Sequence, residues 1–300
     1  MPKLKNNPIG SADLIEFLHT SSDFAFELHC LERLLQIGFS CEHGGSYVDR
    51  VTNKDRQFDI RAQKESGPLH VRCAVECKSL SESFPLLIMC VPRAQNESFH
   101  ELVLSYHPDM VEQVEQSGSG LYARAFAEKC KSIRVDSPIS AYSIGAAVGK
   151  SVAQVGKAYD NSIVANDAEV FEKWSQALAS ASDLADQAAE IGEKRNTICI
   201  SLLLPILVVP DGMLWSVDYN QNGGRTGNPS KVNRCSFFIG RDYLAGDKIQ
   251  GTRLIISHLE FVTLSGLEAL TRNILDQGNS WFPPLDTLMS TIDTTDDRPS

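Results

Sequence analysis

Gln57-Phe58-Asp59-Ile60-Arg61-Ala62-Gln63 and, beyond the break Lys64–Pro68, His70-Val71-Arg72-Cys73-Ala74-Val75-Glu76-Cys77-Lys78 form the stretch on which the reading of this chain turns. Both runs read as short strands, and the Ser-Gly-Pro break between them makes the pair an antiparallel meander. Side chains alternate along a strand, so Glu76 and Lys78 share a face. Asp59, on the preceding strand, comes beside Glu76. Two carboxylates brought to one spot repel each other unless a cation lies between them. Oxygen ligands with room for water suit Mg²⁺ or Mn²⁺ better than zinc. The carbonyl of Cys77 faces the same spot as a further ligand.

Working outward, Ser22 to Ile37 reads as a helix, with Phe26, Cys30, Leu31, Leu34 and Leu35 at helical spacing and Gly38 as its stop. Ser46–Val51 is a further short strand, and Phe84–Pro92 suits a buried one. A helix is expected at Leu121–Lys131. Ser137-Pro138 reads as the start of another, to about Tyr159. On it Ile144, Val148, Val152, Val155 and Tyr159 share one face, and Lys150, Gln154 and Lys157 the opposite one. Asn166 or Asp167 caps a longer helix to about Lys194, with Val170, Phe171, Trp174, Ala177, Leu178, Ala181, Leu184 and Ala188 as its apolar stripe.

Strands at about 198–209 and 213–219 follow, joined at Pro210-Asp211-Gly212 by what reads as a hairpin turn. Asn220–Lys231 is a polar loop. Two more strands are expected at 234–240 and 253–263, and Ser265 caps a last helix to about Asp276. The tail from Ser290 reads as disordered. The boundaries implied are an N-terminal segment 1–20, a core 21–160, a strand-rich extension 161–290 and a tail 291–300.

The order of a helix bearing Glu27, a strand, Asp59 on a second strand and Glu76-Cys77-Lys78 on a third resembles the PD-(D/E)XK, or restriction-endonuclease-like, nuclease superfamily. That resemblance implies an α/β fold with an αβββαβ core, a mixed central sheet flanked by helices and a strand-rich C-terminal extension. It also implies Mg²⁺ dependence and phosphodiester hydrolysis in nucleic acid, DNA ahead of RNA, in settings such as restriction or phage defence. Asp59 and Glu76 would hold the metal, which activates water, and Lys78 would orient that water or offset developing charge. Glu27 holds the place of a supporting metal ligand, with Glu32 as its competitor. A homodimer that cuts both strands is compatible with the resemblance. The alternative is a catalytically silent module of the same fold that binds nucleic acid or a protein partner.

Composition sets limits on these readings. The 300 residues carry a formal charge of −10, which argues against a general polyanion coat but not against a local basic groove. Candidates for backbone contact are Lys150, Gln154 and Lys157, otherwise a solvated helix face, and Arg61, otherwise a partner of Glu27 or Glu76. The eight cysteines include no CxxC pair, so zinc-ribbon spacing is absent. They are expected as free thiols in a cytoplasmic protein. Ile198–Pro210 is the most apolar run; it is too short to span a bilayer, and Pro205 interrupts it.

Overall fold

The computed structural model describes residues 7–49, 52–107, 130–245, 252–276 and 280–284. The chain is α/β, with a large mixed sheet flanked by helices. Helix α1 (Ser11–Thr20) and helix α2 (Phe24–Ile37) lead in. Gly38 closes α2 in the left-handed conformation at φ 89°, where glycine escapes the Cβ penalty. Strand β1 (Ser40–His43) follows, then a separate two-stranded ribbon of β2 (Ser46–Asp49) and β3 (Lys54–Gln57). Strands β4 (Ile60–Ser66) and β5 (Leu69–Cys77) pair antiparallel as the opening stretch predicts, and β1 pairs with the other edge of β4. Asp59 stands one residue ahead of β4.

The next strands are β6 (Leu86–Pro92), β7 (Phe99–Ser105), β8 (Cys130–Asp136), β9 (Ala147–Lys157) and β10 (Ile163–Asn166). Helix α3 (Ala168–Arg195) then leads to β11 (Cys199–Val209), β12 (Leu214–Asp218), β13 (Ser230–Lys231), β14 (Arg234–Ala245), β15 (Thr252–Thr263) and helix α4 (Leu264–Leu275). The main path of the sheet runs β1-β4-β5-β11-β15-β14-β9-β6-β12-β13.

Three expectations give way. The helix opened by Ser137-Pro138 is instead β9, which pairs antiparallel with β6 from Leu86↔Gln154 to Pro92↔Ala147. Val148, Val152 and Val155 favour extended backbone, and the ladder to β6 overrides their helical spacing. The helix expected at Leu121–Lys131 lies mostly outside the described residues, as does the tail from Ser290; its last two residues, Cys130 and Lys131, belong to β8. Pro210-Asp211-Gly212 turns the chain, but β11 and β12 do not pair: β12 lies parallel to β6. The turn docks on α4 instead, where Asp211 accepts from the Ser265 backbone N–H and hydroxyl. The cap of α4 is Thr263, whose hydroxyl accepts from the Gly266 N–H, so Ser265 is not the capping residue.

Strand β11 sets the layers. It is buried along its whole length and lies parallel to β5 from Ile200↔Leu69 to Val208↔Cys77. A parallel strand covered on both faces reads as one continuous apolar run, as Cys199–Val209 does. On one face, Cys73, Val75 and Cys77 of β5 and Leu202, Leu204, Ile206 and Val208 of β11 meet α2 and α4 through Cys30, Leu34, Leu267 and Leu270. On the other, Ala74 and Leu203 pack on Leu178, Ala181, Leu184 and Ala185 of α3. The α3 stripe forms as its spacing predicts, except that Phe171, read as core, is exposed.

Gly192 lets α3 approach the sheet closely. A Cβ there would stand 2.3 Å from the Ser105 carbonyl carbon and the Tyr106 nitrogen at the end of β7. Backbone cannot yield as a side-chain tip can. Gly192→Ala is therefore expected to cost about 2 kcal/mol or more, read as a lowered urea midpoint. An unchanged midpoint would contradict this contact.

Candidate active site

The alternation of β5 decides which residues can meet. Cys77 points toward α2, so its neighbours Glu76 and Lys78 point to the α3 face. Each pairs with a residue of α3: Glu76 with Lys173, and Lys78 with Glu169. Asp59 reaches the same place from the start of β4. Its Oδ2 accepts the Cys77 N–H at 2.7 Å, and its own N–H faces Glu76 Oε1 at 3.4 Å. The two acids thus converge as the strand pattern predicts. The edge of Cys77 that gives its N–H to Asp59 also carries its carbonyl, because a residue's two amide groups face one side of a strand.

The cation between the acids is not the expected one. Lys173 Nζ donates to Asp59 Oδ2 at 2.7 Å and to Glu76 Oε2 at 3.4 Å. Lys78 pairs with other acids, 3.1 Å from Glu169 Oε2 and 3.4 Å from Asp23 Oδ2. Asp23 is held in turn by the Ser79 N–H at 2.8 Å. Lys78 and Lys173 line the same cavity, and of the two it is Lys173 that pairs with the acids.

Lys173 could have been found in the sequence. It follows Val170 by three residues and precedes Ala177 by four, which sets a lysine in the apolar stripe of α3. Asp23 and Glu169 carry no such signal, since both read as ordinary residues of a helix start.

The remaining candidates separate. Glu27 sits in the first turn of α2, across the sheet from Glu76, and its carboxylate meets His43 Nε2 at 3.1 Å. Among the described residues it does not join the acid pair, and its competitor Glu32 accepts from the Gln36 amide at the surface. Among the described residues Arg61 pairs with neither Glu27 nor Glu76. It is buried against α3, with Nε on Ser180 Oγ at 3.1 Å and Nη1 on Asp183 at 2.8 Å. Its guanidinium lies over the Phe58 ring, 4.2 Å from the centroid. Lys150, Gln154 and Lys157 share no helix face, since they lie on β9. Lys150 pairs with Glu97, Lys157 is exposed, and Gln154 gives its side-chain N–H to the Phe84 carbonyl.

Gln154 also borders an open cavity of about 670 Å³, lined with Lys78, Lys173, Ser79, Phe84 and Gln176 among others. Its volume falls within the range usual for ligand sites, roughly 300–1,000 Å³. The acid pair therefore adjoins a polar cavity through Lys173.

Burial sets the electrostatics. Glu76 is 1% exposed. Desolvation first, then the charge of Asp59, raise its pKa well above the ordinary carboxylate value, while Lys173 pulls it down. For Lys173 burial opposes the charged form, but Asp59 and Glu76 outweigh it and raise the pKa above the usual amine value. The donor set can be compared with a divalent ion. Among the described residues no cluster of three or more His, Cys, Asp or Glu side chains has metal-binding geometry. Two carboxylates and a strand carbonyl fit Mg²⁺, which keeps several waters, and do not fit a fully protein-caged ion. The ammonium already held by both acids shows that the spot accepts a cation.

A raised carboxyl pKa contributes stability below its unfolded value, and that contribution is lost as pH rises through the folded value. In chelator, Glu76→Gln removes this loss. The variant is expected to melt at least about 2 °C above wild type at pH 8, with the difference shrinking toward pH 4. A difference that grows toward acid would refute the assignment.

All eight cysteines are free, and all but Cys41 are buried. No described helix is long and apolar enough to cross a membrane. No protein-family model matches the chain, and neither a curated protein nor a solved structure matches it.

Proposed function

We propose that the protein is a Mg²⁺-dependent nuclease of the restriction-endonuclease-like type, hydrolysing phosphodiester bonds and acting on DNA ahead of RNA. The observation that carries this reading is the convergence of Asp59 and Glu76 on one cation position beside a polar cavity lined by Lys78 and Lys173 as well as Glu169 and Glu172. Mg²⁺, when bound there, supplies a Lewis acid for a phosphoryl oxygen and an activated water. Asp59 and Glu76 hold it, and the Cys77 N–H fixes the Asp59 carboxylate. Lys78, tied by Asp23 and Glu169 at the cavity wall, offers a positive charge to the phosphate backbone. The helix, the antiparallel β4–β5 pair, Asp59 just ahead of β4 and Glu76 on β5 support the restriction-endonuclease-like type.

The second reading, a silent nuclease-like module, draws on Lys173. An ammonium that already neutralises both acids gives them a purely structural role. The two readings separate by metal response. A divalent ion that binds only the folded protein raises stability, by about 2.7 kcal/mol at a hundredfold excess over Kd. The silent module gives no such rise.

The direct test incubates wild type, Asp59→Ala and Lys78→Ala with plasmid, single-stranded DNA and RNA, in Mg²⁺, Mn²⁺ or chelator. Wild type is expected to cleave only with metal. Asp59→Ala should lose at least about a hundredfold in rate, and Lys78→Ala a smaller factor. Equal substrate loss by all three proteins would remove the nuclease assignment.

A further inference from the structure

We propose that Lys173 is a displaceable internal cation. It holds the Asp59–Glu76 pair when no metal is there, and it moves into the adjoining cavity when a divalent cation arrives, where its ammonium meets a phosphate of the bound strand. This inference rests on the metal-site reading above and adds a positioning residue to it.

Three observations carry it. First, the ammonium occupies the point at which both carboxylates aim, 2.7 Å from one and 3.4 Å from the other. A divalent ion held by the same two acids cannot share that point, because cations a few ångströms apart in a partly buried site repel strongly. Second, Lys173 has somewhere to go. It lines the cavity from α3 together with Glu169, Glu172 and Gln176, and its four-carbon stem lets the ammonium swing without moving the helix. Third, Lys78 pairs with Asp23 and Glu169, so Lys173 is the cation that stands on the acid pair itself.

Displacement couples two ligands. Metal drives Lys173 out of the acid pair, and an anion in the cavity stabilises it outside. Each ligand therefore favours the other, by the reciprocity that linkage requires. Without metal, the ammonium keeps the acids together and blocks the site.

Mn²⁺ alone is the first probe, titrated into wild type and Lys173→Met and followed by the electron paramagnetic resonance of the free ion. Lys173→Met should bind Mn²⁺ at least about tenfold more tightly, one positive charge having been removed from the site. A short phosphorothioate DNA strand should tighten Mn²⁺ binding to wild type by about threefold or more and leave Lys173→Met unaffected. A third measurement needs no variant: labelling of Lys173 by an amine reagent, read by mass spectrometry, should rise when Mn²⁺ is added to wild type.

Equal Mn²⁺ affinity in the two proteins with unchanged labelling would overturn the displacement and leave the metal site standing. No Mn²⁺ binding by either protein, with both folded by circular dichroism, would overturn the metal site and this inference together. Tighter binding by Lys173→Met with no strand effect in either protein would overturn the phosphate station. If Lys173→Met fails to fold, labelling of wild type decides.

Discussion

The parallel lock between β5 and β11 is the constraint on which the rest depends. Nine consecutive residue pairs, Leu69–Cys77 against Ile200–Val208, join a strand near the start of the sheet to one that follows the long helix. Both strands are covered on both faces, so each face needs its own helical layer. α2 and α4 supply one, and α3 supplies the other. Given that arrangement, the two-residue period of β5 leaves no freedom: Cys77 goes to α2, and Glu76 goes to α3. A carboxylate is thereby carried into a dry layer, where its charge is costly unless a cation meets it.

The site follows from that cost. Asp59 arrives from the neighbouring strand and adds a second negative group to the desolvated Glu76. Lys173, delivered by α3, offsets both. The acids are positioned by backbone: the Cys77 N–H anchors Asp59, and the β4–β5 ladder sets Ile60 opposite Val75, which leaves Asp59 opposite Glu76. The lysine is positioned by packing. Gly192 near the far end of α3 and Ala181, Ala185 and Ala188 along it keep the helix close to the sheet. Arg61, buried between β4 and α3, bonds Ser180 and Asp183 and fixes how the helix lies across the strands. Site and fold are thus held by the same contacts.

Much of this was legible from local pattern. The helices at α2 and α3, the paired strands β4 and β5, and the shared face of Glu76 and Lys78 follow from periodicity and turn chemistry, which act over a few residues. The same periodicity misleads at β9. There, spacing that also fits a helix is overruled by pairing with β6, some sixty positions earlier in the chain. It misleads again at Pro210-Asp211-Gly212, a turn whose local chemistry is that of a hairpin. The burial of β11 sends its partners elsewhere, to β5, β7 and β15. Arg61 was legible as a residue on the acid-bearing face, but not as a residue under α3, because nothing near it in sequence announces the helix that covers it.

By itself, the sequence determined that two acids and a lysine ride on adjoining strands, two of them on one face, because alternation is a property of the strand alone. It also determined the long amphipathic helix that supplies the second layer. Only the tertiary structure decided which ammonium neutralises the acids. Lys78 is nearest in sequence, yet it pairs with Asp23 and Glu169. Lys173, nearly a hundred residues downstream of Glu76, takes the central place because α3 is laid across β5. Charge pairing acts through space at a few ångströms, so its partners are set by how the layers stack and not by their order along the chain.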